Sequence, residues 1–469
     1  MKLYIILFFS FFLSAQLSFA QTEQNTLSAE QVLELVRRFH PVAKQAIIEI
    51  EKAKADILNA RGNFDPIVQT YATQKTVDGS NYYTYTNPEI NIPTWYGIEI
   101  HSGFENLSGN KINPTQTIGE SNFLGISIPL AKDLVIDKRR AFLQQAKIFK
   151  KMAEAEQRAV INELQMDAMK AYWTWVKSYQ IYQVIKNNVT INEQRVELVK
   201  KTVFNGERPA IDTIEAITQL QQFQYLQNEY WVQFQNAGLN LSAYLWNNNG
   251  NPYTLPENII PSTDAENEKN ILAYNTSLPD LLANADKNFP VLQAYSYKLD
   301  ALKVNKKLKF QELLPKINFR YNQLGKGYDL TKSFNNAAFL ENNFQYGIKF
   351  ELPLRLSQGR AEYKTAKLKI EETKLDISQK QLDVSLKIKS VYNEWMNLKK
   401  QIELQTINYN YNARLVKAEE TRFFNGESSL FVINSRETKS LEALEKLIAL
   451  KAKHNEYVYT LQWSAGLLK

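Results

Sequence analysis

The chain has 469 residues, with 56 Lys and Arg against 49 Asp and Glu, a formal charge of +7, and no Cys. The missing Cys excludes a disulfide framework, a thiolate zinc or iron–sulfur site and a catalytic thiol. A hydrophobic share of 44%, with 12% aromatic, is too apolar for a disordered chain.

Residues 1–20 carry Lys2, an apolar core from Leu3 to Leu13, and small residues at Ser18 and Ala20. This is the pattern of a secretory signal peptide cleaved before Gln21. The apolar core is too short for an uncleaved anchor helix, and no other run is long enough for a helical span. No Cys follows the cleavage site, so lipid attachment there is excluded.

A helix is predicted over 27–62. It opens on Leu27-Ser28-Ala29-Glu30-Gln31, a capping box with Ser28 as N-cap and Gln31 at N3. Pro66 ends it and opens a strand over about 66–76. The stretch 77–119 is rich in Asn, Thr, Gly and Tyr and reads as a long outer loop, although Trp95–Phe104 within it is strand-like. A second strand covers about 121–130, where Leu124, Ile126 and Ile128 alternate with Gly125 and Ser127. Helices flanking such strands on one side of a membrane require an even number of crossings. The two outer runs are therefore assigned as crossings, and Trp95–Phe104 stays in the loop.

Neither Gly nor Pro occurs between Leu130 and Asn205, which predicts a helix over 131–203. At 1.5 Å per residue, such a stretch makes a helix of roughly 105 Å, far beyond globular lengths. Asn205-Gly206 then suits a tight left-handed turn into a returning helix over 211–246. Pro252, Pro256 and Pro261, with the acids Asp264, Glu266 and Glu268, mark a linker over 247–276. The second half predicts a helix over 277–312, strands over about 315–325 and 343–353, a long helix over 354–423 and a last helix over 429–468. Phe344, Tyr346, Ile348, Phe350 and Leu352 alternate with Gln345, Gly347, Lys349 and Glu351.

The halves repeat. Arg140-Ala141, Ala146-Lys147, Tyr172, Trp175, Asn192, Val196 and Phe204-Asn205-Gly206-Glu207 recur 220 residues later, from Arg360-Ala361 to Phe424-Asn425-Gly426-Glu427. Pro41-Val42 and Pro66 match Pro290-Val291 and Pro315 at an offset of 249. Residues 21–246 and 277–469 are thus two copies of helix, strand, strand, long helix, turn, helix. Runs of about 9–11 alternating residues have the length of tilted outer-membrane strands, although an antiparallel sheet on a soluble core alternates in the same way. If they cross a membrane, four strands cannot close a barrel, and an open edge in lipid is untenable. The chain must then assemble at least as a dimer or trimer.

Enzymatic signatures are missing. His40, His101 and His454 lack metal-ligand spacing, and there is no Walker A, GxGxxG or nucleophile elbow. Lys and Arg are scattered along helices rather than clustered, which speaks against nucleic acid. No cofactor, metal or catalytic residue is expected.

Leader, tandem repeat, paired tip glycines and the Leu27–Leu33 run together resemble the TolC-like outer-membrane efflux family over nearly the whole mature chain. The resemblance implies a mainly α fold with a small membrane β-barrel portion. It implies a homotrimer with a twelve-strand β-barrel in outer-membrane lipid and a twelve-helix α-barrel through the periplasm, girdled by the 247–276 equatorial linker. It also implies a passive exit duct for a tripartite efflux or type I secretion system. An inner-membrane transporter would drive that duct through a periplasmic adaptor docked at the tips Phe204, Asn205, Gly206, Glu207, Phe424, Asn425, Gly426 and Glu427. Family gate acids lie six residues past the first tip Gly, and six and nine past the second. Asp212 matches the first position, while Val432 and Ser435 occupy the others, so a second-copy acidic ring is missing and Val432 offers an apolar constriction instead. The competing function is a secreted coiled-coil scaffold or adhesin without a pore, which has no need for membrane-length strands.

Overall fold

The computed structural model describes residues 26–110, 117–262, 274–334 and 339–468. The leader and Asp264, Glu266 and Glu268 lie outside the described residues. In chain order the elements are β1 (Thr26–Leu27), α1 (Ala29–Phe39), α2 (Pro41–Gly62), β2 (Ile67–Val77), β3 (Ser80–Pro93), β4 (Glu99–Ser108) and β5 (Gly119–Pro129). They continue with α3 (Lys138–Phe204), α4 (Ile211–Ser242), β6 (Ile260–Pro261), α5 (Leu278–Asn288), α6 (Pro290–Gln311) and β7 (Lys316–Lys326). The last are α7 (Leu330–Phe334), β8 (Phe344–Glu351), α8 (Ser357–Phe424) and α9 (Leu430–Ser464). Among the described residues no helix is long and apolar enough to cross a membrane.

Local chemistry explains where the helices begin. Ser28 N–H donates to Gln31 Oε1 (2.8 Å), and Gln31 N–H donates back to Ser28 Oγ (3.3 Å), closing the capping box. The helix expected over 27–62 is broken, because His40 is extended (φ −63°, ψ 134°) ahead of Pro41. The helix expected over 277–312 breaks the same way at Phe289 (φ −64°, ψ 118°) ahead of Pro290. Proline excludes the helical region for the residue before it and is welcome at N1, so each Pro starts a new helix. The helix expected from 131 starts later, at Lys138. Asp133 takes a left-handed φ of 68°, and Asp137 Oδ1 accepts from Arg140 N–H (2.8 Å) as an N-cap.

The sheet corrects the sequence reading most. It is antiparallel with six strands in the order β2-β3-β4-β5-β7-β8, and the expected outer loop 77–119 contains β3 and β4. Asp78-Gly79 (φ 50° and 75°) forms the two-residue turn whose positive φ values match strand twist, so β2 folds straight back as β3. A second tight turn, closed by Thr94 N–H donating to Ile98 O (2.9 Å), returns the chain as β4. The even count demanded by the flanking helices is kept, but the first half contributes four strands rather than two.

Two compact units divide the chain. One comprises the described residues within Met1–Leu35, Ala168–Ala273 and Ile402–Lys453. Its core sets Ile181, Ile185 and Val189 of α3 against Phe223 of α4 and Leu441 and Ile448 of α9. An aromatic group of Trp175, Tyr182, Trp231 and Phe234 extends that core. In the same unit β1 pairs in parallel with β6 of the linker. The other unit comprises Val36–Asp167, Tyr274–Gln401 and His454–Lys469, and carries the six-stranded sheet. There Ala60 and Phe64 pack on Leu143 and Ala146, joining the end of α2 to the start of α3.

Candidate functional site: hairpin tips and a two-faced sheet

Both helical hairpins turn through the same motif. Gly206 N–H donates to Val203 O (3.0 Å) and Glu207 N–H to Thr202 O (3.0 Å), with Gly206 at φ 76°. Gly426 N–H donates to Phe423 O (3.1 Å) and Glu427 N–H to Arg422 O (2.8 Å), with Gly426 at φ 78°. This is a Schellman cap, which ends a helix on a left-handed residue and so selects glycine. Phe204 at the first tip is 92% exposed, and Phe424 at the second is 69% exposed. The Phe424 ring meets the core beneath only edge-on, at Phe423 (centroids 6.1 Å apart). That core is Val196 and Val199 of α3, Ala216 of α4, Phe423 of α8, and Leu430 and Ile433 of α9.

Arg208 joins the two tips. Its Nη1 donates to Asp212 Oδ2 (3.3 Å), its Nη2 donates to the Phe423 carbonyl, and its guanidinium lies 3.4 Å from the Phe423 ring centroid. Asp212 is therefore a buried, paired carboxylate within one chain. Deeper in, Arg195 donates to Glu437 Oε2 (2.8 Å) and to Glu420 Oε1 (3.3 Å), tying α3 to α9 and α8. Asn192 Nδ2 adds a longer contact to Glu437 Oε2 (3.4 Å).

The three positions read as a gate sit in different settings. Asp212 is engaged by Arg208, Val432 is half-buried in the first turn of α9, and Ser435 is exposed along a groove lined also by Glu215 and Gln219. Burial pushes the Glu215 carboxyl above its ordinary value, and the nearby Asp212 charge adds to the shift. The sequence reading missed Arg208, although its place four residues before Asp212 is a standard ion-pair spacing on a helix.

The sheet has two chemically distinct faces. One cross-strand row runs Ile92–Ile100–Ile126–Tyr321–Tyr346 from β3 to β8, and a second carries Ile128, Phe319 and Ile348. The alternate row runs Asn91–His101–Gly125–Asn322–Gln345. In that row His101 Nε2 lies 2.6 Å from Asn322 Oδ1 and accepts from Arg320 Nε (3.1 Å). Gly125 makes the row possible, since a Cβ there would fall 2.2 Å from Asn322 Oδ1. Among the described residues no cluster of His, Cys, Asp and Glu could hold a metal ion.

No family model and no curated relative matches this sequence. Solved structures do. The Campylobacter jejuni CmeC outer membrane channel aligns over 93% of this chain and 85% of its own at TM-score 0.62 and 14% identity. The Neisseria gonorrhoeae MtrE outer membrane channel in its open state aligns over 94% and 89% at TM-score 0.63 and 13% identity. The chain has the outer-membrane channel fold. VceC, an outer membrane protein of Vibrio cholerae, adds a third likeness at TM-score 0.61 and 14% identity, covering 93% of this chain and 96% of its own. The mainly helical channel fold implied by the resemblance to the TolC-like family is thus present, with six strands in the sheet where four were expected. At such identities the shared property is the backbone architecture.

Proposed function

We propose that this protein is the outer-membrane exit duct of a tripartite efflux or type I secretion system. It acts as a homotrimer after removal of its leader, with its sheet in outer-membrane lipid and its helices in the periplasm. The observation that carries this reading is a channel fold whose sheet is apolar on one face and polar on the other, as a wall between lipid and water requires. A scaffold without a pore gives no reason for that two-faced sheet, so it is not favoured.

The exposed Phe204 and Phe424, carried on rigid capped turns, are the surface offered to a periplasmic adaptor. Asp212 and Arg208 form the latch that holds the two hairpins together beside Val432 and Ser435, and adaptor docking loosens it. Transport through the duct is passive and driven by an inner-membrane transporter. The test is a deletion strain complemented with the gene. Heat-stable trimers in the detergent-extracted outer-membrane fraction, together with restored dye or drug efflux, are expected. A purely soluble periplasmic monomer overturns the reading.

A further inference from the structure

We propose that every chain contributes six strands to the membrane barrel, and that the barrel closes by antiparallel pairing of β8 in one copy with β2 in the next. This rests on the outer-membrane duct reading, and with three copies it makes an 18-stranded wall.

The β3–β4 turn decides the strand count, because it is anchored at the helical end of the sheet. Trp95 in that turn stacks on Phe64, just beyond α2 (centroids 4.2 Å apart, 19° between planes). Arg140 in the first turn of α3 donates to Tyr96 O (3.4 Å) while also holding Asp133 O (2.5 Å) and Leu134 O (3.1 Å). Arg139 pairs with Glu99 at the start of β4 (2.9 Å). β2 also departs from that end, directly after α2. With β2 and β4 both starting there and β3 ending there, all three strands cover the same height as β5. Their lengths agree, at 11, 14 and 10 residues against 11 for β5.

Their faces agree as well. Ile92 of β3 and Ile100 of β4 continue the apolar row of Ile126, Tyr321 and Tyr346, and the neighbouring row on that side runs Val68–Ile90–Ser102–Leu124–Gln323–Phe344. Asn91 continues the polar row of His101, Gly125, Asn322 and Gln345, with Ile67 of β2 at its end, and Glu89 stands on the same side in a row that reaches Phe123 and Leu324. A solvent-exposed outer loop has no need for such a face.

The edges identify the partner. β8 is exposed at every residue, and β2 at all but Thr73. In lipid each edge would leave a row of backbone N–H and C=O groups unpaired, which bilayers do not tolerate. Because the chain holds an even number of antiparallel strands, β2 and β8 run in opposite directions. Rotated copies therefore join β8 to β2 in antiparallel fashion, keep apolar and polar faces continuous, and close a ring. A wall of 16 to 18 strands encloses an aqueous channel rather than a packed core.

The natural absence of Cys makes the test direct. Single-Cys variants at Glu89, Ile90, Asn91, Ile92 and Ile100 are exposed in intact outer membranes to a membrane-impermeant maleimide. Labelling at Glu89→Cys and Asn91→Cys, with protection at Ile90→Cys, Ile92→Cys and Ile100→Cys, is expected. Uniform labelling while trimers persist in the outer-membrane fraction overturns the six-strand wall and leaves the duct reading intact. Recovery of the chain as a soluble monomer overturns both. Double variants pairing Thr70→Cys, Ala72→Cys or Gln74→Cys with Tyr346→Cys or Ile348→Cys are then oxidised. Covalent trimers from at least one pair, and from neither parent single variant, are expected; none from any pair refutes the seam.

Discussion

Replacing Arg208 by Ala tests how the two hairpin tips are held. The substitution strands the Asp212 carboxylate, which is 8% exposed and faces the guanidinium at 3.3 Å. It also removes the donor to the Phe423 carbonyl and a cation–π contact at 3.4 Å. Deleting one partner of a buried ion pair costs about 3–5 kcal/mol, much of it the burden of an uncompensated charge. The cation–π contact adds about 1 kcal/mol. Tip opening is a local event, so the loss is read in the amides of the capped turns rather than in global melting. A loss of about 3 kcal/mol makes exchange at Asn205–Glu207 and Asn425–Glu427 about a hundredfold faster by hydrogen-exchange mass spectrometry. Changing Asp212 to Asn in the Arg208→Ala background removes the stranded charge and returns part of that protection. Exchange within twofold of wild type in Arg208→Ala, or no recovery in the double variant, refutes the pairing argument.

Gly206→Ala and Gly426→Ala each weaken their tip by about 1–2 kcal/mol through left-handed strain alone, since an added Cβ meets nothing within 4 Å; the Asn variants cost less, and chemical denaturation or exchange at the caps ranks them. Gly97→Ala suffers both strain (φ 85°) and a Cβ 2.7 Å from Arg140 Nη2, so it lowers the melting temperature and raises labelling at Ile92→Cys. Burial lowers the His454 pKa below its ordinary 6.5, and the charge of Lys399 lowers it further, while the hydrogen bond of His454 Nδ1 to Asn455 Oδ1 opposes the shift. Below pH 6.5 the unfolded chain therefore binds a proton that the folded chain refuses. Stability falls as pH drops from 6.5 toward the folded pKa, by at most about 1.4 kcal/mol per pH unit. His454→Gln flattens that dependence in urea midpoints measured at pH 5.5 and 7.5.

The helices and their turns were legible because their causes are local. Ser28 and Gln31 cap one another across three residues, and the absence of Gly and Pro between Leu130 and Asn205 leaves helix as the only economical backbone. Asn205-Gly206 and Asn425-Gly426 mark positions where only a left-handed residue continues the chain. Pro41 and Pro290 are equally visible, but their match between the two halves masks that each breaks a helix. Asp78-Gly79 is a local hairpin signal, but its Tyr- and Asn-rich flanks have the composition of a loop, and only pairing of β2 with β3 shows them as strands.

Features that depend on neighbours a few residues away follow from local sequence: long helices, capped tips, and strands that alternate in polarity. Features that depend on distant partners emerge only in the folded chain. The Trp95–Phe64 stack and the hold of Arg140 on Tyr96 turn a supposed loop into two further strands. Arg208, reaching both Phe423 and Asp212, makes the expected gate acid half of a buried pair. Both are contacts between residues far apart in the chain, and periodicity carries no information about which side chain will meet which across such a distance.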